Sequence, residues 1–203
     1  MTDKNFGLDF RVFFAHYVTR SGSLNSSKQC EAFLMSLCEL LLTEFDDEMA
    51  GTRKTLERVP ENKFGWKPHE KSGSMIWLAS HLANLPEWAA VTMQQDSLDM
   101  SPNGVSMPQP PAPKATKEVL EIFDKNVKAG RAALAGGNDS ELSKPWSLLD
   151  NGKVLFTMPR GECLRKWVLN HNVHHRAQLG VYLRLNNIPV PALYGPSADE
   201  QGM

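Results

Sequence analysis

From about Glu31, apolar positions recur at three- and four-residue steps through Leu34, Leu37, Cys38, Leu41, Phe45, Thr52, Leu56 and Val59. That is the period of one helix face. Pro60 stops this first helix, because proline removes a backbone donor. The loop behind it carries Phe64, Trp66 and Pro68. It is too aromatic for a bare linker and is expected to pack on the core. Gly73 and Ser74 open a second helix, with Ser74 as its N-cap. The pattern runs to about Gln95, with Pro86 as a kink site. Pro102, Pro108, Pro110, Pro111 and Pro113 mark an extended surface connection. Thr116, Glu118 and Glu121 start a third helix that Gly136-Gly137 ends. Asp150-Asn151-Gly152 lies between the short apolar runs Trp146-Ser147-Leu148-Leu149 and Val154-Leu155-Phe156-Thr157, a hairpin signal. A fourth helix is expected from about Pro159 to Asn187, ending before Pro189.

Four long helices and one hairpin-like excursion before the last of them predict an all-α fold, a four-helix bundle. The links after the first three helices exceed minimal turns, which permits a crossover connection. Residues 1–29 mix a short aromatic cluster with Ser21-Gly22-Ser23 and Asn25-Ser26-Ser27. They read as a flexible N-terminal extension, leaving 30–203 as the bundle domain.

Charge narrows the function. The net charge of -1 gives no electrostatic case for nucleic acid or an anionic membrane as partner. Apolar runs such as Leu40-Leu41-Leu42 fall far short of the ~20 residues that span a bilayer. The N-terminus lacks the unbroken apolar stretch of a signal peptide. Cys30, Cys38 and Cys163 are an odd, scattered set, which fits a reducing cytoplasm rather than a disulfide framework.

The candidate chemistry lies in the histidines. Of six, His171 and His175 are four residues apart on the fourth helix, one turn apart on one face. With Leu164 as the centre of the buried stripe, they fall about 20° to either side. His174 falls about 80° away, at the edge of the stripe, and Gln178 about 40°. On the second helix, His81 is expected amid an apolar stripe with Trp77, Leu85 and Trp88. A buried, unpartnered imidazole costs on the order of 1–3 kcal/mol, so each needs a hydrogen-bond or metal partner. Taken singly, each histidine also reads as an ordinary hydrogen-bonded residue. Together, His81, His171 and His175 form a candidate three-histidine site for a divalent metal ion. Zinc or nickel leads, and iron and copper also suit imidazole.

The stretch His171-Asn172-Val173-His174-His175-Arg176-Ala177-Gln178-Leu179, then Tyr182-Leu183-Arg184 and Pro189-Val190-Pro191, resembles the C-terminal signature of the DinB-like (DinB/YfiT-type) superfamily. The tail Tyr194–Glu200, the segment Trp77–Ala83 and the loop Pro60–Pro68 strengthen the resemblance. It implies a four-helix bundle with a crossover and a divalent metal on His81, His171 and His175. Dimers are frequent in this superfamily, so a homodimer is expected. Characterised relatives include transferases acting with low-molecular-weight thiols, a maleylpyruvate isomerase and proposed hydrolases. The expected partner is therefore a small-molecule substrate, with such a thiol as one candidate.

Three ligands leave a coordination position for substrate or water, as in catalytic zinc sites. That position suits a water whose pKa falls towards about 7 or a thiolate. Gln178 and Arg176 are candidate catalytic or substrate-orienting groups, although a salt-bridged arginine is the plainer reading of Arg176. Glu87 and Glu162 are candidate bases that nothing in the sequence places at the site. Cys38 reads as a core residue, and no cysteine has a histidine at a useful spacing. The alternatives to an enzyme are a non-catalytic metal or small-ligand binder active in stress, and a purely structural bundle.

Overall fold

The computed structural model describes residues 35–108 and 111–201. The expected extension over 1–29, and Cys30 and Leu34 of the first apolar pattern, lie outside the described residues. The fold is mostly helical, with one small three-stranded sheet.

Helix α1 spans Leu37–Leu56. It starts at a capping box, in which the Ser36 hydroxyl accepts from the Glu39 N–H while the Glu39 carboxylate accepts from the Ser36 N–H. Asp139 adds a second carboxylate at this N-terminus, accepting from the Leu37 and Cys38 N–H groups at 3.1 and 3.0 Å, where negative charge is favoured. Its buried stripe is Cys38, Leu41, Phe45, Met49, Thr52, Thr55 and Leu56, whereas Leu37 is exposed. Phe64 and Trp66 of the following loop pack on this core as expected.

The second expected helix is two helices. α2 (Met75–Asn84), capped by Ser74, and α3 (Glu87–Gln94) meet at Pro86, which has no N–H to continue the ladder. Helix α4 spans Thr116–Ala135 and is followed by Gly136. It crosses the α2–α3 break so closely that a Cβ on Gly130 would lie 2.5 Å from the Pro86 carbonyl oxygen. Asn126 of α4 donates to the Ala83 carbonyl at 3.0 Å, so a polar contact at the break is satisfied.

A short helix α5 (Asp139–Leu142) leads into the hairpin β2 (Pro145–Asp150) and β3 (Lys153–Pro159). Asn151 and Gly152 both have positive φ, 50° and 76°, as a type I′ turn requires. The sequence pattern misses strand β1 (Ser97–Asp99), which pairs parallel to β2 with Ser97 opposite Ser147. Three residues are too few to show alternation. Asp99 holds the strand to the turn, accepting from the Asn151 and Gly152 N–H groups at 2.9 and 2.7 Å.

The last helical stretch is continuous but not uniform. It runs as α6 (Arg160–Cys163), a π-helical segment Leu164–Asn170, and α7 (His171–Leu185). The main core joins α1, α2, α3, α4 and this stretch. A smaller core of Trp146, Leu148 and Cys163 lies beneath the sheet. Beyond α7 the chain is tied back by ion pairs from Asp199 to Arg184 and from Glu200 to Arg58. No helix among the described residues is long and apolar enough to cross a membrane.

A three-histidine candidate metal centre

The seam between α2 and α7 brings His81, His171 and His175 together. One ring nitrogen of each lies within 4.8 Å of the other two. Nε2 of His171 is 3.3 Å from Nε2 of His81 and 2.8 Å from Nε2 of His175. A tetrahedral ion with metal–nitrogen bonds of 2.0–2.1 Å separates its ligand nitrogens by about 3.3 Å; the His81–His171 pair has that spacing and the His171–His175 pair is tighter, so the three rings could hold one ion.

The histidines flank the buried stripes rather than centring them. On α2 the buried residues are Met75, Leu78, Ala79, Leu82 and Ala83. On α7 they are Asn172, Arg176, Leu179 and Leu183. His81, His171 and His175 are half-buried beside these stripes. This corrects the expectation of centrally buried rings. Placing Trp88 on the His81 face requires rotating across Pro86, where the helix breaks. Trp88 instead packs near Trp146.

The outer nitrogens explain why the inner ones are free to bind. Nδ1 of His175 faces Oε1 of Gln178 at 2.8 Å. His171 bonds the Trp167 backbone. An amide oxygen only accepts, so His175 carries its proton on Nδ1 and turns its Nε2 lone pair inward. Such partners orient metal-ligating imidazoles. The Gln178 amide nitrogen lies 3.0 Å from Nε2 of His174. His174 is therefore exposed, within α7, and bonded to Gln178 rather than to the other three rings.

Protonation favours the same role. Burial first, and then the His175 and His171 rings, push the His81 pKa down to about 4. Burial also lowers His171, with His175 adding to it and the Trp167 bond opposing. Burial lowers His175, against the Gln178 bond and with His174. Neutral imidazoles are the form that ligates metal.

The remaining candidates lie elsewhere. Arg176 is buried, and its guanidinium pairs with the Glu48 carboxylate at 2.6 Å and with the Tyr194 hydroxyl. It points to α1, not to the three rings. Glu162 pairs with Lys166 at 2.6 Å, and Glu87 is exposed at the start of α3. Cys38 and Cys163 are free and buried. Cys163 packs beneath the sheet, 3.6 Å from the Thr92 hydroxyl.

Trp77, expected beside His81, stacks on it, with ring centroids 5.3 Å apart and planes at 6°. Two contributors are not expected from the sequence pattern. Trp167 meets His171 edge-on at 6.1 Å, and Phe156 of the hairpin stacks on Trp167 at 5.4 Å. Trp167 stands four residues before His171, a helical-neighbour spacing that could have flagged it.

A family profile described as the DinB family matches residues 31–202. Among solved structures, the chain is similar to a DinB-like protein from Bacillus cereus ATCC 10987, at 21% identity and a TM-score of 0.60. That match covers 80% of this chain and 100% of the other. It is also similar to the DinB-like protein YjoA from Bacillus subtilis, at 18% identity and a TM-score of 0.57, covering 75% and 96% of the two chains. At these identities the likeness speaks for the fold. No curated protein matches the chain.

Proposed function

The chain belongs to the DinB family, and on that premise we propose that it is a divalent-metal-dependent enzyme of the thiol-transferase or hydrolase type, with His81, His171 and His175 as the ligands. The observation that carries this reading is the convergence of three imidazole nitrogens within 4.8 Å, with the outer nitrogen of His175 held on the Gln178 amide oxygen. Zinc or nickel suits this donor set best, and iron and copper are compatible with it.

A bound ion would supply Lewis acidity to a water or a thiol. The chain's own residues supply the rest. Gln178 orients His175 through Nδ1. The Trp167 backbone orients His171. Trp77 covers one face of His81. Arg176 acts at a distance, by fixing α7 to α1 through Glu48. The small-molecule substrate approaches the half-buried seam beside Trp77.

The finer fold reading is a four-helix bundle of α1, α2–α3, α4 and α6–α7. Its support is that α1 and α2 each pack on both α4 and α7. The connection between α3 and α4 provides the crossover. A cytoplasmic setting without nucleic-acid or membrane partners completes the reading, supported by free buried cysteines and a near-zero net charge; a homodimer is proposed with it on family grounds alone.

The test is metal content by inductively coupled plasma mass spectrometry on tag-free protein, beside a His171→Ala/His175→Ala double variant. About one ion per chain in the parent and none in the variant supports the site. No metal in either, after incubation with zinc, nickel and iron under reducing conditions, sinks it.

A non-catalytic metal or ligand binder is the second reading. Among the described residues, none of the hydrogen bonds of the three rings goes to a carboxylate, so no acid–base partner adjoins them. Metal-loaded protein that stays inactive on thiol–electrophile pairs and on activated esters and amides would favour the binder.

A further inference from the structure

Two large rings beside the site are left in water. Trp77 is 54% exposed and Trp167 is 39% exposed. Tryptophan carries a large apolar area, and an exposed apolar patch beside polar groups marks a surface that something covers.

Both rings are seated on purpose-built ground. Trp77 lies parallel on His81 and meets His175 edge-on at 6.3 Å. It can do so because Gly73 has no side chain: a Cβ there would fall 2.4 Å from the indole. Trp167 meets His171 edge-on, and Phe156 stacks on Trp167 with planes at 4°. Phe156 in turn leans on Trp146, which is fully buried, with centroids 6.2 Å apart. The hairpin therefore props Trp167 against the ligand ring from outside. Each ligand histidine has an indole at its side.

Charge completes the picture. The ring partners are one another, Gln178 and the Trp167 backbone, all neutral. Three neutral imidazoles leave the full charge of a divalent ion uncompensated, so an anionic donor is favoured as the next ligand. The indoles packed against the three rings are planar, apolar and uncharged.

Resting on the metal reading above, we infer that the site selects ligands carrying one anionic donor atom on a planar, uncharged apolar body, with Trp77 and Trp167 as the specificity walls. An aromatic group on such a ligand gains ring–ring contact that an aliphatic or charged one does not.

The experiment uses the full chain loaded with cobalt(II), titrated with benzyl mercaptan and with 2-mercaptoethanol, and read by thiolate-to-cobalt charge-transfer absorption. The expected result is about tenfold tighter binding of benzyl mercaptan, the size of one or two aromatic pairs. Trp77→Ala and Trp167→Ala should each lower that ratio several-fold, and Trp77→Phe should keep it. The ratio is compared at matched cobalt loading, so a change in metal affinity does not enter it. Equal affinities in the parent, or a preference that survives both alanine variants, overturn the inference and leave the metal site standing. Failure of the parent to take up cobalt overturns the metal reading, and this inference with it.

Discussion

Oε1 of Gln178 lies 2.8 Å from Nδ1 of His175, while the other end of the same amide lies 3.0 Å from Nε2 of His174. One side chain thus separates two adjacent histidines into different roles. His175 is turned inward with its Nε2 lone pair free, and His174 anchors the amide. Gln178→Leu should weaken metal binding by about ten- to a hundredfold, the usual effect of removing an orienting partner. Gln178→Glu should restore most of it, and His174→Ala should have the milder effect. Chelator competition measures all three, and parent-like affinity in Gln178→Leu would remove the orienting role.

The ligand assignment makes a sharper contrast. His81→Ala, His171→Ala and His175→Ala should each abolish metal retention, while His174→Ala retains about one ion per chain. Metal analysis after gel filtration decides it. Full occupancy in His175→Ala would sink the assignment.

The pH dependence follows from the depressed pKa values. The unfolded chain takes up protons on these rings near 6.5, but folded His81 does so only near about 4, and His171 and His175 are also lowered. Between those values the unfolded state binds more protons, so the metal-free protein loses stability as pH falls from 6.5 towards about 4. Protons compete with metal only near the folded pKa values, so metal affinity should stay flat as pH passes down through 6.5 and fall only below it, as the lowered rings take up protons. Urea melts and metal titrations across this range check both. Affinity that already declines as pH passes through 6.5 would show that the rings titrate as ordinary imidazoles.

Arg176 tests structure against catalysis. Its side chain is 3% exposed and that of Glu48 is 14% exposed. Removing one partner of a buried pair typically costs about 3–5 kcal/mol. Arg176→Met should show that loss by chemical denaturation, and Glu48→Gln/Arg176→Met should regain much of it. A variant that loses turnover at unchanged stability would place Arg176 in the chemistry instead.

Gly130 reports on the helix break. A Cβ there would meet the Pro86 oxygen at 2.5 Å and the Phe45 ring at 3.1 Å. Gly130→Ala should therefore destabilise by about 1–3 kcal/mol, although alanine is otherwise worth up to ~1 kcal/mol over glycine in a helix. A raised melting temperature would show that α4 can move away from Pro86.

The three-histidine cluster was legible in the sequence because four-residue spacing within one uninterrupted helix is reliable, and α7 holds both His171 and His175. Ser74, Gly136 and the Asn151-Gly152 turn were legible for the same reason, since each acts through its own backbone. Orientation relative to the core was not. Rotating at 100° per residue from Leu164 crosses a π-helical segment, and rotating from His81 to Trp88 crosses Pro86. Both breaks are invisible to a fixed period. Strand β1, the Phe156–Trp167 stack and the Arg176–Glu48 pair are contacts between distant segments, which no local pattern encodes.

The π-helical segment Leu164–Asn170 has a consequence for how this chain tolerates length change. A π turn holds more residues than an α turn, so shortening the segment by one residue would let it relax to α geometry without breaking the helix. The residue removed is the surplus one that the wider turn accommodates, so everything beyond it would keep nearly its present facing. His171 and His175 would stay on the α2 seam opposite His81, still four apart. A residue deleted between His171 and His175, in the regular α-helix, has no such slack to draw on: it would leave the two rings three apart and turn one of them by about 100°. The chain can thus lose a residue just before the centre and keep it assembled, but not within it.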